Sequence, residues 1–80
     1  MRRLLLEAVD LQVLRLVELK SVAVSSGANL EIQEVAARLA GLGLLYEVDG
    51  IWRVTGIGVV ALHQTEHLLT PQPAEIALED

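Results

Sequence analysis

The sequence predicts a small α/β domain, mainly helical, with a two-stranded hairpin set between helices. Three observations predict it. Leu30, Ile32, Val35, Ala36, Leu39 and Leu42 fall at helical spacing across positions 30–42. Asp49-Gly50, a pair that tolerates positive φ at both places, then marks a tight turn between two short strands. A second apolar-periodic stretch runs from Thr55 to Leu69. Helix, ribbon, helix is the layout of a binding module rather than of an enzyme.

The N-terminal third is expected to be helical over positions 3–20, as one helix or as two with a joint near Asp10. Leu5, Leu6, Val9, Val13, Leu16 and Val17 share one broad face of such a helix. Leu4, Leu11 and Leu14 fall toward the polar side, with Arg3, Glu7, Arg15 and Glu18. A helix apolar nearly all round is hard for a small domain to cover, so these three leucines are candidates for a homodimer or partner interface. Separate burial of the two halves is the competing explanation. Val22-Ala23-Val24 fits a helix extension, a short second helix or a small strand. Positions 25–29, Ser-Ser-Gly-Ala-Asn, make a connector with Asn29 as a candidate N-cap.

The middle helix opens with Glu31 and Glu34 near its positive end and stops at Gly41 and Gly43. Arg38 lies four residues after Glu34, the spacing of a local ion pair. In the hairpin, Leu45, Glu47, Trp52 and Val54 share one phase, and Leu44, Tyr46 and Val48 another. Trp52 is a candidate interface residue if it is not a lid over the core. Thr55 is placed to cap the last helix, which must end before Pro71. Positions 1–70 are therefore expected to form one domain, and positions 71–80 an acidic, disordered tail.

Composition limits the partners. Eighty residues permit a single small core, built here from aliphatic side chains because only Tyr46 and Trp52 are aromatic. Six Lys plus Arg against eleven Asp plus Glu give a formal charge of -5, which repels phosphate in general but permits a local basic face. There is no cysteine, so thiolate chemistry is impossible, and the composition fits a reducing compartment. Glu7 and Asp10 interrupt the apolar run that begins Met1-Arg2-Arg3-Leu4-Leu5-Leu6 too early for a signal peptide, and no stretch is long enough to span a membrane. A cytoplasmic location is expected.

The stretch LEIQEVAARLAGLGLLYEVDGIWRVTGIGVVAL resembles the second half of a winged helix-turn-helix domain. Positions 30–42 match a recognition helix, Gly43-Leu44 the step after it, positions 45–55 the wing, and Thr55 to Gly58 the Thr-x-x-Gly opening of another helix. The resemblance implies a dimeric transcription regulator that binds duplex DNA through the major groove. On that reading Gln33 and Arg38 face the groove and Arg53 contacts phosphate from the wing. The family pattern also requires a distinct helix before the recognition helix, and the candidate between Leu11 and Val24 has no clean turn. The alternative expectation is an acidic winged-helix module that binds a protein without holding DNA, since Glu31, Glu34 and Glu47 suit a basic partner.

His63-Gln64-Thr65-Glu66-His67 spells the H-x-x-E-H pattern of some zinc peptidases. On a helix the two histidines share a face, and Glu66 would be the base. The third ligand, for which Glu75 or Glu79 is available, would come from the tail, with no rigid outer shell around it. Two surface histidines near a helix end are expected, with no metal, no cofactor and no catalytic residue.

Overall fold

The computed structural model describes residues 2–20, 22–24 and 30–78. In chain order the elements are β1 (Arg2–Leu6), α1 (Ala8–Leu19), β2 (Val22–Ala23), α2 (Leu30–Gly41), β3 (Leu45–Val48), β4 (Ile51–Val54), α3 (Gly56–Thr65) and β5 (Ala74–Leu78). They form three helices and two small antiparallel sheets, one of β1 and β5 and one in the order β2-β4-β3. The α/β class and the placing of the hairpin between helices follow the expectation.

Local chemistry explains the middle of the chain. Gly43, at φ +86°, ends α2 in a Schellman turn. Its N–H donates to the Ala40 carbonyl at 3.1 Å and the Leu44 N–H to the Leu39 carbonyl at 2.9 Å, while Leu39 and Leu44 are both buried. Asp49 and Gly50 take positive φ, as a tight two-residue hairpin turn requires, and Val48 pairs with Ile51 across it. The register sets Leu45 opposite Val54 and Glu47 opposite Trp52, and Leu45 and Trp52 both face the core.

Thr55 joins the β3–β4 hairpin to α3. Its hydroxyl donates to the Gly43 carbonyl at 2.6 Å and accepts from the Gly58 N–H at 3.0 Å, capping the helix. Its own N–H donates to the Leu44 carbonyl at 3.0 Å. A side chain at Gly58 would run into that Leu44 carbonyl oxygen and lie 2.6 Å from Val54 Cγ1. The Thr-x-x-Gly spacing thus has two jobs: the threonine caps, and the glycine lets the end of α2 lie against the first turn of α3.

The N-terminus departs from expectation. Residues 2–6 form a strand, not the start of a helix, and positions 74–78 of the expected disordered tail form its partner. Arg2 pairs with Leu78, Leu4 with Ile76 and Leu6 with Ala74. Leu6, Ile76 and Leu78 point into the core, Leu4 packs against it, and Leu5 alternates outward. The helix joint expected near Asp10 is absent: Asp10 lies within α1, and the break comes at Glu7, between β1 and α1. Val22-Ala23 takes the small-strand option, with Val22 opposite Trp52. The N-cap assigned to Asn29, and the connector at 25–29, lie outside the described residues. No helix among the described residues is long and apolar enough to cross a membrane.

Gly58→Ala should lower unfolding stability in urea by about 1–3 kcal/mol, because the methyl meets backbone that cannot step aside. Gly56→Ala, where an added Cβ meets nothing within 4 Å, should stay within about 0.5 kcal/mol of the parent.

Candidate functional site

The residues expected to read or hold a ligand fall into separate neighbourhoods. Gln33 faces the chain's own sheet: its amide nitrogen donates to the Ala23 carbonyl at 2.8 Å, and its oxygen accepts from the Trp52 indole N–H at 3.3 Å. Arg38 does not rely on Glu34. Its guanidinium pairs with Asp10, whose carboxylate also accepts the Glu7 N–H at 2.8 Å at the start of α1. Asp10 is only 3% exposed, so Arg38 neutralises a buried charge and pins α2 to α1. Arg53 stands exposed on β4 and has neither role.

Other basic groups are similarly engaged. The Arg15 guanidinium donates to the Thr65 and Leu68 carbonyls at 2.9 and 3.1 Å, closing the end of α3. Arg3 pairs with Glu75 at 2.6 Å across the β1–β5 ribbon. The exposed positions of α2 include Glu31, Glu34 and Ala37, as well as the partly exposed Arg38.

The interface expectation needs correction. Leu11 and Leu14 are fully buried, and Trp52 is nearly so. The break at Glu7 turns α1 so that β4, α2 and α3 cover residues that a longer helix would have left bare. Leu4 alone of the three leucines stays half-buried, on the ribbon. The apolar excess is real but lies elsewhere. α3 buries Ala61 and Leu62 and also exposes Ile57, Val59 and Val60, so it is apolar nearly all round.

One side of α3 borders a furrow. Near the β3–β4 hairpin its lining includes Glu18, Leu19, Lys20, Tyr46, Arg53 and Val59. A second hollow shares Glu18, Leu19 and Val59 with it and is lined further by Arg15, Leu62, His63, Glu66 and Leu68. Leu19 is 78% exposed, Val59 52% and Tyr46 46%. Large apolar side chains gathered this way mark a binding surface more often than scattered ones do. Sequence reading missed the furrow because its walls come from α1, the β3–β4 hairpin and α3. The signal available was the Ile57-Gly58-Val59-Val60 run, too apolar for a solvent-facing helix.

The H-x-x-E-H string straddles the end of α3. His63 Nδ1 lies 3.4 Å from Glu66 Oε2, while Thr65 between them is buried and its hydroxyl donates to the Ala61 carbonyl at 2.9 Å. His67 lies in the turn beyond the helix. Among the described residues no group of three or more histidines and carboxylates is placed to hold a metal. Glu75 is paired with Arg3, and Glu79 lies outside the described residues.

Comparison with protein-family models, curated proteins and solved structures found no significant match to this chain.

Gln33→Ala should reduce stability by about 0.5–1.5 kcal/mol, the net worth of a typical hydrogen bond. It should also speed hydrogen exchange at the Trp52 indole N–H, read by NMR. A neutral effect on both would return Gln33 to the pool of free, ligand-reading side chains.

Proposed function

We propose that this chain is a winged-helix-like regulatory module that binds another protein, through the furrow between the end of α1, the wing and α3. The observation that carries the reading is the furrow itself: Leu19, Tyr46 and Val59 stand exposed together, with Glu18, Lys20 and Arg53 in the same lining. Lys20 and Arg53 outnumber Glu18 in that lining, which suits a segment carrying apolar side chains and a carboxylate. The sheet order β2-β4-β3, with its hairpin directly after a helix, supports the winged-helix likeness.

A second reading, a transcription regulator on duplex DNA, is favoured by one observation. Arg53 is exposed on the wing and lines the same hollow as Lys20, so the two cations are placed to meet phosphate. On this reading Gln33 and Arg38 must leave Trp52 and Asp10 before they reach base edges, which counts against it.

The test is an NMR titration with three probes: a short peptide alternating Leu with Glu, the same peptide with Lys for Glu, and mixed-sequence duplex DNA over a salt series. The Leu/Glu peptide should shift the resonances of Leu19, Tyr46 and Val59 and bind tighter than the Leu/Lys peptide. Arg53→Glu should weaken it about 2- to 5-fold, as expected for an exposed ion pair. Duplex binding that falls steeply with salt, with no peptide binding, would establish the second reading instead.

A further inference from the structure

The β1–β5 ribbon has two outer edges, and the chain treats them differently. Along β5, the Gln64 side chain on α3 acts as a substitute strand. Its amide nitrogen donates to the Ala77 carbonyl at 2.7 Å, and its oxygen accepts the Ala77 N–H at 3.0 Å. Both peptide groups of Ala77 therefore point away from β1. In an antiparallel pair a residue directs both groups either toward its partner strand or away from it, and directly opposed residues do the same. Ala77 opposes Arg3, so the Arg3 N–H and C=O also point outward, off the side of β1 away from β5. The alternation repeats at Leu5, opposite Glu75. Among the described residues no backbone bond is made by Arg3 or Leu5 on that side.

Along this edge the protection is limited to the short strand and its charged end, Arg2 and Arg3. Residues 2–6 contain no proline and pair with β5 in unbroken register, without a bulge. Leu5 is 70% exposed, and Leu4 is only half-buried. A two-stranded ribbon is itself marginal and gains from further strands.

We infer that β1 pairs antiparallel with β1 of a second copy, making a four-stranded sheet across a two-fold axis at Leu4. The occupant follows from the strand's own pattern. Centred on Leu4, the register sets each outward-pointing Arg3 opposite the other copy's Leu5, where both can exchange backbone bonds. Leu4 meets Leu4 in the close, non-hydrogen-bonded position. The two Arg2-Arg3 pairs lie at opposite ends of the ribbon, whereas a parallel pairing would set like charges abreast. The same patch on both copies is what a closed two-fold dimer needs. This surface is separate from the furrow, so neither proposal depends on the other.

The test combines sedimentation equilibrium with two kinds of variant. The parent should be a dimer in equilibrium with monomer. Leu5→Lys gains Glu75 as a neighbour within its own chain, so the monomer stays folded. It also meets Arg3 of the other copy, and should weaken the dimer about fivefold or more because the axis counts each like-charge pair twice. The chain has no cysteine, so Leu4→Cys should form an interchain disulfide under mild oxidation, with Leu5→Cys crosslinking far less. A parent that stays monomeric at high concentration overturns the inference. So does a dimer indifferent to Leu5→Lys in which Leu4→Cys does not crosslink.

Discussion

Asp10 is the constraint on which the arrangement of the helices depends. It is the one carboxylate carried into the core among the described residues, and its two oxygens have different duties. One accepts the Glu7 N–H and fixes where α1 begins; the other takes the Arg38 guanidinium and fixes where α2 lies. Starting α1 at Glu7 frees residues 2–6 to become β1. Placing α2 sets the Schellman turn at Gly43, and through Thr55 and Gly58 the start of α3. A buried carboxylate without its partner is costly, so Arg38 is held to this role by charge and not only by geometry.

What was legible in the sequence was the chemistry of near neighbours. Asp49-Gly50, Gly43 and Thr55 act on groups within a few residues or on the adjoining element, and each sits where its residue type requires. What was not legible depended on distant partners. Leu4-Leu5-Leu6 fits one turn of helix as well as a strand, and it is β5, more than sixty residues away, that selects the strand. The same pairing orders positions 74–78, which two prolines and acidic neighbours made look like a tail. Arg38 had an apparent partner in Glu34 one turn earlier, yet a buried acid on another helix outcompetes an exposed one on the same helix. The apolar surplus is visible in the composition, but its place on α3 follows from the covering of α1 by β4, α2 and α3.

These placements change how the resemblance to winged helix-turn-helix domains bears on function. The hairpin after α2 and the Thr-x-x-Gly junction fit that pattern for reasons of backbone chemistry that are independent of any ligand. In α2, by contrast, the side chains best suited to base edges brace the fold, and the positions left to solvent are rich in carboxylates. Two other surfaces are the ones proposed for recognition: the furrow beside α3, lined in part by Lys20 and Arg53, and the edge of β1 away from β5.

The most direct test of this account is a double-mutant cycle on Asp10 and Arg38. Asp10→Asn, Arg38→Gln and the double variant would be compared by urea unfolding. The account predicts that each single change is destabilising and that the pair couples by about 1–3 kcal/mol, as contacting charged groups do. Additive effects, with Arg38→Gln as stable as the parent but weakened in binding duplex DNA, would contradict it and make Arg38 a ligand-reading residue.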